Sequence, residues 1–546
     1  MTDSGAGRSE RFALETLRKF TEVGIALSAE KDHACLMQLI LSSARDLTGA
    51  DGGTLYTRRD DDQLHFEIMM NATLGVHRGG TSGVSIEMPS VPLYTSSGVP
   101  NRHMVAAWAA VSGETVNIPD AYHEDGFDFS GTRSFDQRSG YRSRSFLTVP
   151  MRSHQDEVIG VLQLINKIAG NAVVAFDAAD QQLVESLASL AAISLTNKRL
   201  IEAQARLFES FIELIAGAID DKSPYTGGHC RRVPELTMML ADAAAGTSEG
   251  PLGGFTMSDD DRYELRIAGW LHDCGKVTTP EHVMDKATKL ETIHDRLEEV
   301  RTRFAVLKQD LRVRMLERCL RGEADPSTAQ AAWRAECARL DEDCAFLAQC
   351  NQGAESMSEA DKARVRAIAV RVWTAPDGQP RALLNAEEVH NLTIERGTLT
   401  PEERQVINHH IVATISMLES LPYPRHLARV PEFAGGHHEH MDGSGYPRGL
   451  TREQMSVQAR IMAIADVFEA LTAGDRPYKK AMKLSQALSI LGRMCEQGKI
   501  DPDLFQVFIR NRVYQRYADT FLDPEQIDKV DVDALPGYVA ATPGMP

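Results

Sequence analysis

The chain has 546 residues, 43% of them hydrophobic and 25% charged, and a formal net charge of −18, a length that suggests two to four domains with buried cores. This acidity excludes broad binding to bulk nucleic acid, whose phosphate backbone needs a basic face, and leaves room for a small nucleotide held by local cations. No run of about 18 apolar residues offers a membrane span, the opening residues lack an apolar signal core, and the eight cysteines form no CxxC pair; reduced thiols in the cytoplasm are expected.

Residues 10 to 48 read as helical, with Leu14, Leu17, Phe20, Val23 and Leu27 at helical spacing. Short alternating runs at Gly53–Thr57, Leu64–Met70, Ser145–Met151 and Val158–Ile165 predict strands, and a helix follows from about Asp177. Helix, antiparallel strands and helix make an α+β domain over residues 1–182. Over residues 183–219, Leu183, Leu187, Leu190, Ser194, Asn197, Ile201, Gln204, Phe208, Phe211 and Ile215 recur at alternating four- and three-residue intervals. This is a heptad seam, with Asn197 and Gln204 as polar positions that set register in a parallel homodimer; the alternative is an amphipathic helix packed on its own chain.

An all-α region is expected at 220–290 and 397–533. It opens on a glycine-containing lead-in to a helix bearing His229, and the helix Tyr263–Leu271 runs into His272-Asp273-Cys274-Gly275-Lys276. Residues 291–396 interrupt it. Leu297, Val300, Phe304, Leu307 and Leu311 form one stripe and Trp333, Cys337, Leu340, Cys344 and Leu347 a second, with Gly322–Pro326 between them, so an antiparallel helical hairpin is predicted. A third helix over Glu359–Trp373 completes an insertion with a structural or partner-facing role. The pattern resumes at Thr400-Pro401, a cap followed by proline in the first turn, on a helix carrying His409 and His410. A His437-His438-Glu439-His440-Met441-Asp442-Gly443-Ser444-Gly445-Tyr446-Pro447 loop follows, then a helix Val457–Thr472 bearing Asp466. Residues 534–546, rich in Ala, Gly and Pro, are expected to be a flexible tail.

An adjacent His-Asp pair at a helix end serves two metals compactly, the imidazole binding one ion and the carboxylate bridging to the next. His229, His272, Asp273, His410, His437, His438 and Asp466 together offer five imidazoles and two carboxylates. That set suits two Fe or Mn ions and exceeds the needs of one catalytic zinc. Two ions about 3.5–4 Å apart clamp an in-line displacement at phosphorus and acidify a bridging water.

Two resemblances sharpen these readings. Asn117-Ile118-Pro119-Asp120-Ala121-Tyr122, the stretch Gly140–Met151 and the stretch Gly160–Lys167 resemble a GAF domain of the cyclic-nucleotide-phosphodiesterase type. Its signature falls on Asn166, Lys167, Phe176 and Asp180, with Gln181 departing from the final acid. The resemblance implies either a sensor for a small, cyclic-nucleotide-like ligand or a ligand-free dimerisation domain. The stretch His272–Lys276 followed by His437–Pro447 resembles the HD-GYP family of cyclic di-GMP phosphodiesterases. That resemblance implies the seven residues above as ligands of two divalent metal ions, His410 being preferred to His409 because Thr414, Met417 and Leu418 then take the family's small and apolar positions. It further implies Asp273 and Lys276 as catalytic, and Lys276, Arg476, Lys479 and Tyr446 as substrate-binding. Some members recruit a third metal through a glutamate where this chain has Tyr225, and Cys274 replaces the usual aliphatic residue. The implied activity is hydrolysis of cyclic di-GMP to pGpG and onward to GMP by a metal-bridging hydroxide, under control of the GAF domain. The alternatives are a phosphohydrolase of another cyclic dinucleotide and a catalytically weak signal-binding scaffold.

Overall fold

The structure is a computed structural model that describes residues 6–30, 32–222, 228–248, 250–353, 356–474 and 481–540. It divides into two compact units, Met1–Leu207 and Phe208–Pro546. No helix among the described residues is long and apolar enough to cross a membrane.

In the first unit the expected single helical stretch is two helices, α1 (Ala6–Ala29) and α2 (His33–Thr48). Asp32 breaks them apart by capping α2, its side chain accepting from the Cys35 amide. Eight strands follow: β1 (Ala50–Arg58), β2 (Gln63–Asn71), β3 (Val76–Gly79), β4 (Val91–Pro92), β5 (Val116–Ile118), β6 (Phe146–Arg152), β7 (Val158–Ala169) and β8 (Ala172–Val174). The main path of the antiparallel sheet is β3-β2-β1-β7-β6-β5. One face of the sheet, with Leu55, Leu162 and Leu164, packs against α1, against Leu36, Ile40 and Leu41 of α2, and against the start of α5 (Ala178–Lys222). Tyr56, Leu64, Val91 and Val161 instead pack against the alanine-rich α3 (Val105–Ser112). The helix α4 (Ser130–Ser139) precedes β6.

The start of the seam expected along α5 packs within its own unit. Val184, Leu187, Ala191 and Leu195 are buried in the sheet's own core, so the first turns spend their heptad face inside the unit. The apolar residues left exposed are Ile193, Leu200, Ile201, Leu207, Phe211, Leu214 and Ile215. Asn197 and Gln204 lie on this exposed face as well.

The second unit is helical. The end of α5 (Ile212, Ala216, Ile219) is buried in one core with α6 (His229–Ala245) and α7 (Asp259–Leu271). After the short α8 (Glu281–Met284), α9 (Leu297–Leu320) and α10 (Pro326–Asn351) form the expected hairpin. They continue through α11 (Glu359–Ala369) and α12 (Ala386–Leu392), with a separate core around Val300, Phe304, Leu340 and Leu347. The predicted third helix stops at Ala369 rather than Trp373. Val372–Thr374 instead pairs with Pro380–Ala382, around a turn containing Asp377-Gly378, a pairing suited to β-branched and aromatic residues. The main core resumes with α13 (Pro401–Glu419), α14 (Val430–Gly435) and α15 (Val457–Thr472), then α16 (Leu484–Glu496), α17 (Pro502–Arg510) and α18 (Val513–Phe521).

The flexible tail predicted from residue 534 does not begin there. Leu535 is buried, Gln506 Nε2 donates to the Gly537 carbonyl at 2.8 Å, and Gln506 Oε1 accepts from the Val539 amide at 3.1 Å. Residues 541–546 lie outside the described ones.

Candidate metal centre

Five segments meet at the centre of the second unit. The helix α7 starts on a Ser258–Asp261 capping box and carries Leu265, Ala268 and Leu271 into the core, delivering His272 fully buried at its end. Asp273 then opens a tight 3-10 turn, Cys274–Thr278. On α13, capped by Thr400 and Glu403, one buried stripe runs His410, Ile411, Thr414, Ile415 and Leu418. His409 is exposed, one residue out of that stripe. The turn and α13 come together at Gly275: a Cβ there would lie 2.0 Å from the His410 carbonyl and 2.5 Å from the Thr414 nitrogen. Only glycine permits this approach, which the Gly275 amide secures by donating to Thr414 Oγ1 at 2.9 Å. Cys274 packs as a small apolar group, and burial pushes its thiol up to about 11.

The structure brings all seven side chains together in two groups: His229, His272, Asp273 and Asp466 in one, and His410, His437 and His438 in the other. In the first, His229 Nε2 lies 3.2 Å from His272 Nε2, 3.1 Å from Asp273 Oδ2 and 3.3 Å from Asp466 Oδ1. The other oxygen of Asp273, Oδ1, faces the second group, 3.3 Å from His410 Nε2. One carboxylate therefore spans both groups. Asp273 Oδ1, His410 Nε2 and His437 Nε2 are buried, and among the described residues none has a hydrogen-bond partner. Buried polar atoms are rarely left so, and three of them converging is what a cation would satisfy. The donor set of imidazole nitrogens and carboxylate oxygens fits divalent Fe, Mn or Zn.

Ring orientation is set from behind. The Nδ1–H of His272 donates to the Gly269 carbonyl at 2.7 Å, that of His410 to the Ile407 carbonyl at 2.5 Å, and that of His437 to the Ala434 carbonyl at 2.6 Å. His229 Nδ1 donates to Glu469 Oε2 at 2.5 Å, and Arg232 Nε donates to the other oxygen of that carboxylate at 2.6 Å. Glu469 is buried and was not singled out from sequence. The available signal was its place three residues after Asp466, on the same face of α15. Replacing it with glutamine will weaken metal binding by roughly ten- to a hundredfold, the usual effect of losing a partner behind a ligand, as titration with Mn(II) will show.

The electrostatics separate the imidazoles. Burial opposes charge on His272, but the Asp273 and Asp466 carboxylates outweigh it and hold the ring up at about 9. His229 is likewise held well above the ordinary histidine value, burial being overcome by Glu469, Asp273 and Asp466. Burial and the neighbouring rings keep His437 well below that value, and burial takes His438 down to about 4. Burial works against the Lys276 charge too, yet Asp273, with Oδ2 2.6 Å from its Nζ, raises its pKa and keeps it a cation.

Tyr446 stacks on His438, with ring centroids 4.9 Å apart, and so bears on a candidate ligand. Gly445 lets that loop close on itself, since a Cβ would lie 2.3 Å from the His440 nitrogen. Glu439 is buried and braces the same loop, accepting from the Arg448 and Leu450 amides at 2.7 and 2.9 Å. Arg476, Lys479 and Tyr225 lie outside the described residues.

In the first unit the Asn166 side chain accepts from the Arg144 amide at 2.7 Å and donates to Tyr141 Oη and the Arg142 carbonyl. Lys167 Nζ pairs with Asp180 and Asp177, and Phe176 is buried. Asn166, Lys167 and Asp180 thereby tie β7 to the segment before β6 and to the start of α5, beside the buried Phe176.

A family profile described as GAF domain matches residues 32–195, and two described as HD domain match residues 226–333 and 384–504. The chain is 48% identical over 82 residues to 3'3'-cGAMP-specific phosphodiesterase 1 of Vibrio cholerae, covering 15% of this chain and 19% of that protein. It is 26% identical over 336 residues to 3'3'-cGAMP-specific phosphodiesterase 3 of the same organism, covering 60% and 46%. A cyclic di-GMP phosphodiesterase of Pseudomonas aeruginosa is 39% identical over 115 residues, covering 21% and 26%. The matches thus span less than half the length of each of these relatives.

Proposed function

From a chain that carries a GAF domain followed by an HD domain of the HD-GYP type, we propose a metal-dependent phosphodiesterase that opens a cyclic dinucleotide, cyclic di-GMP first, giving pGpG and then GMP. The observation that carries this reading is Asp273, whose two oxygens face two separate ligand groups. His229, His272, Asp273 and Asp466 would hold one divalent ion; His410, His437, His438 and the second oxygen of Asp273 would hold the other. Fe or Mn ions bound there supply Lewis acidity and an acidified water for attack on phosphorus.

The chain's own groups do the remainder. Lys276, held beside Asp273, donates to a phosphoryl oxygen and neutralises charge as the P–O bond breaks. Arg476 and Lys479 add cations for the second phosphate, and Tyr446 holds His438 in place and shapes the rim where a base docks. Glu469 and the three backbone carbonyls behind the rings keep the imidazoles aimed inward.

A second reading rests on a specific finding: two of the V. cholerae relatives are named for 3'3'-cGAMP. One experiment decides among the readings. Protein loaded without oxygen with Fe(II) or Mn(II) is offered cyclic di-GMP, 3'3'-cGAMP and a generic phosphodiester, and the products are separated by chromatography. Preferential opening of cyclic di-GMP supports the first reading and of 3'3'-cGAMP the second; cleavage of neither, under any metal or redox state, leaves a signal-binding scaffold.

The GAF domain, as a small-ligand sensor or as a dimerisation domain, is proposed to control turnover through α5 in a homodimer. The support is the exposed face of Leu200, Leu207, Phe211 and Leu214, each more than half exposed, at a spacing that a second copy would cover. Full-length protein will sediment as a dimer, and a Leu207→Glu, Leu214→Glu variant as a monomer with its helical circular dichroism retained. A monomeric wild type defeats this part of the proposal.

A further inference from the structure

The α5 helix ends on a contact that neither the sequence motifs nor the ligand set accounts for. Lys222, its last residue, turns its ammonium onto three main-chain carbonyls: Lys276 at 3.2 Å, Val277 at 2.5 Å and Thr279 at 2.7 Å. These carbonyls belong to the turn that opens on Asp273 and carries Lys276, or directly follow it. Two residues earlier, Asp220 Oδ1 accepts from the amide of Cys230, the residue after His229, at 3.2 Å. The preceding turn is anchored, because Ala216 and Ile219 are buried in the same core as Cys230, Val233 and Cys274. One rigid helix end therefore grips both the start of the His229 helix and the Asp273–Lys276 turn.

The turn depends on that grip. One side is held by the Gly275 approach to α13. Against the other lies a cavity of about 660 Å³, bordered by Lys222, Val277, Thr278, Thr279, Glu281 and His282, and Val277 is half exposed. Packing leaves that side partly open, with Val277 and Thr278 exposed and Thr279 buried, and three charge-assisted hydrogen bonds from Lys222, each roughly twice the strength of a neutral one, hold it.

We propose that Lys222 is a positioning residue for the metal centre. It sets where Asp273 and Lys276 sit relative to His229, with Asp220 holding the other half of the same gauge. Displacement of the α5 end then changes the separation of His229 and Asp273, which is how a signal carried along this helix would alter turnover. The regulatory consequence rests on the phosphodiesterase reading; the positioning does not.

The test is Mn(II) titration of full-length protein, wild type against Lys222→Met, which keeps length and loses the donors, and Lys222→Arg, which keeps them. Lys222→Met will bind Mn(II) about tenfold more weakly and show a smaller rise in Tm on Mn(II) addition, while Lys222→Arg stays within about threefold of wild type. A merely structural lysine would lower Tm equally with and without Mn(II) and leave the affinity unchanged. That result overturns the proposal, as does a Lys222→Arg variant impaired as much as Lys222→Met. Should Lys222→Met not accumulate folded, Lys222→Gln, too short to span the three carbonyls, is read by the same criteria. The titration needs no substrate. A wild type that binds Mn(II) and opens neither cyclic dinucleotide defeats the phosphodiesterase reading alone, whereas unchanged Mn(II) affinity in Lys222→Met of a protein that does open one defeats the Lys222 proposal alone.

Discussion

Asp273→Asn will lower turnover of the preferred cyclic dinucleotide on the order of a thousandfold or more, the scale expected when one member of a concerted catalytic group is removed. It will also reduce bound metal from two ions per chain to one or none. The substitution conserves volume, so Leu271 and Cys274 remain packed and the Gly275 approach to α13 is untouched. What it removes is a group that reaches both ligand clusters. Oδ2 stands 3.1 Å from His229 and 2.6 Å from Lys276, while Oδ1 stands 3.3 Å from His410. An amide would turn either a poor ligand or a pair of N–H donors toward one of them. Burial opposes the Asp273 charge, but Lys276 and the imidazoles of His272 and His229 outweigh it and hold its pKa well below the ordinary aspartate value. The asparagine would therefore also deprive Lys276 of its carboxylate partner at 2.6 Å, leaving Asp466 as the more distant counter-charge. Elemental analysis and a single-turnover assay check both halves of the expectation. A variant with two metals and wild-type turnover would show that the bridge is misassigned.

The second large effect is the response to metal removal as pH rises. In metal-free protein at neutral pH, His229 and His272 carry protons, because neighbouring carboxylates raise them, whereas His437 and His438 are already neutral. Metal requires deprotonated rings, so loading at pH 7 will release up to about two protons per chain, and affinity will rise between pH 6 and 9. The sign for stability follows from the same shift. The folded pKa of His272, about 9, lies above the unfolded value of about 6.5. Its contribution to the metal-free fold is fully present below 6.5 and is lost as pH climbs through 9. The loaded fold has neutral rings and loses nothing from this source. The stability gap between loaded and chelator-treated protein, about 2.7 kcal/mol at pH 6.5 when free metal is a hundred times its Kd there, will therefore widen toward pH 9 at that fixed metal concentration, and the difference in Tm will widen with it. A gap that stays flat or narrows over that window would sink the account.

How far the sequence could be read depended on whether a residue's chemistry or its surroundings mattered. His229, His272, Asp273, His410, His437, His438 and Asp466 drew attention as residue types at motif spacing, and the structure brings them together. Their division into four and three, with Asp273 between, was not legible, because it is made by the Cys274–Thr278 turn meeting α13 across more than 130 residues. Glu469 escaped notice because a glutamate on a helix ordinarily faces solvent; its place three residues after Asp466 is a weak signal until its burial behind His229 is seen. Among the strands, β1, β2, β6 and β7, each seven residues or longer, were readable as alternating runs, whereas β3 and β5, at four and three residues, are too short to display a period. The heptad along α5 misled at its start for a related reason. Leu187 matches the pattern equally well whether it faces a second chain or its own sheet, and the sheet claims it.

The imidazoles of His272, His410 and His437 share one further property. Each ring donates through Nδ1 to the carbonyl three residues before it. A carbonyl can only accept, so Nδ1 keeps its proton in all three rings and each ring presents Nε2 as its ligating nitrogen, His272 once the ion displaces the second proton. Binding then costs little ordering entropy, and such preorganisation favours tight, slowly exchanging metal. It does little to select which metal, since nitrogen-rich sites follow the same affinity order for first-row ions whatever their rigidity. Selection passes to supply: the chain will carry the ion that its surroundings provide at the moment of folding, and protein raised on manganese-rich and iron-rich media will differ in metal content while sharing one fold.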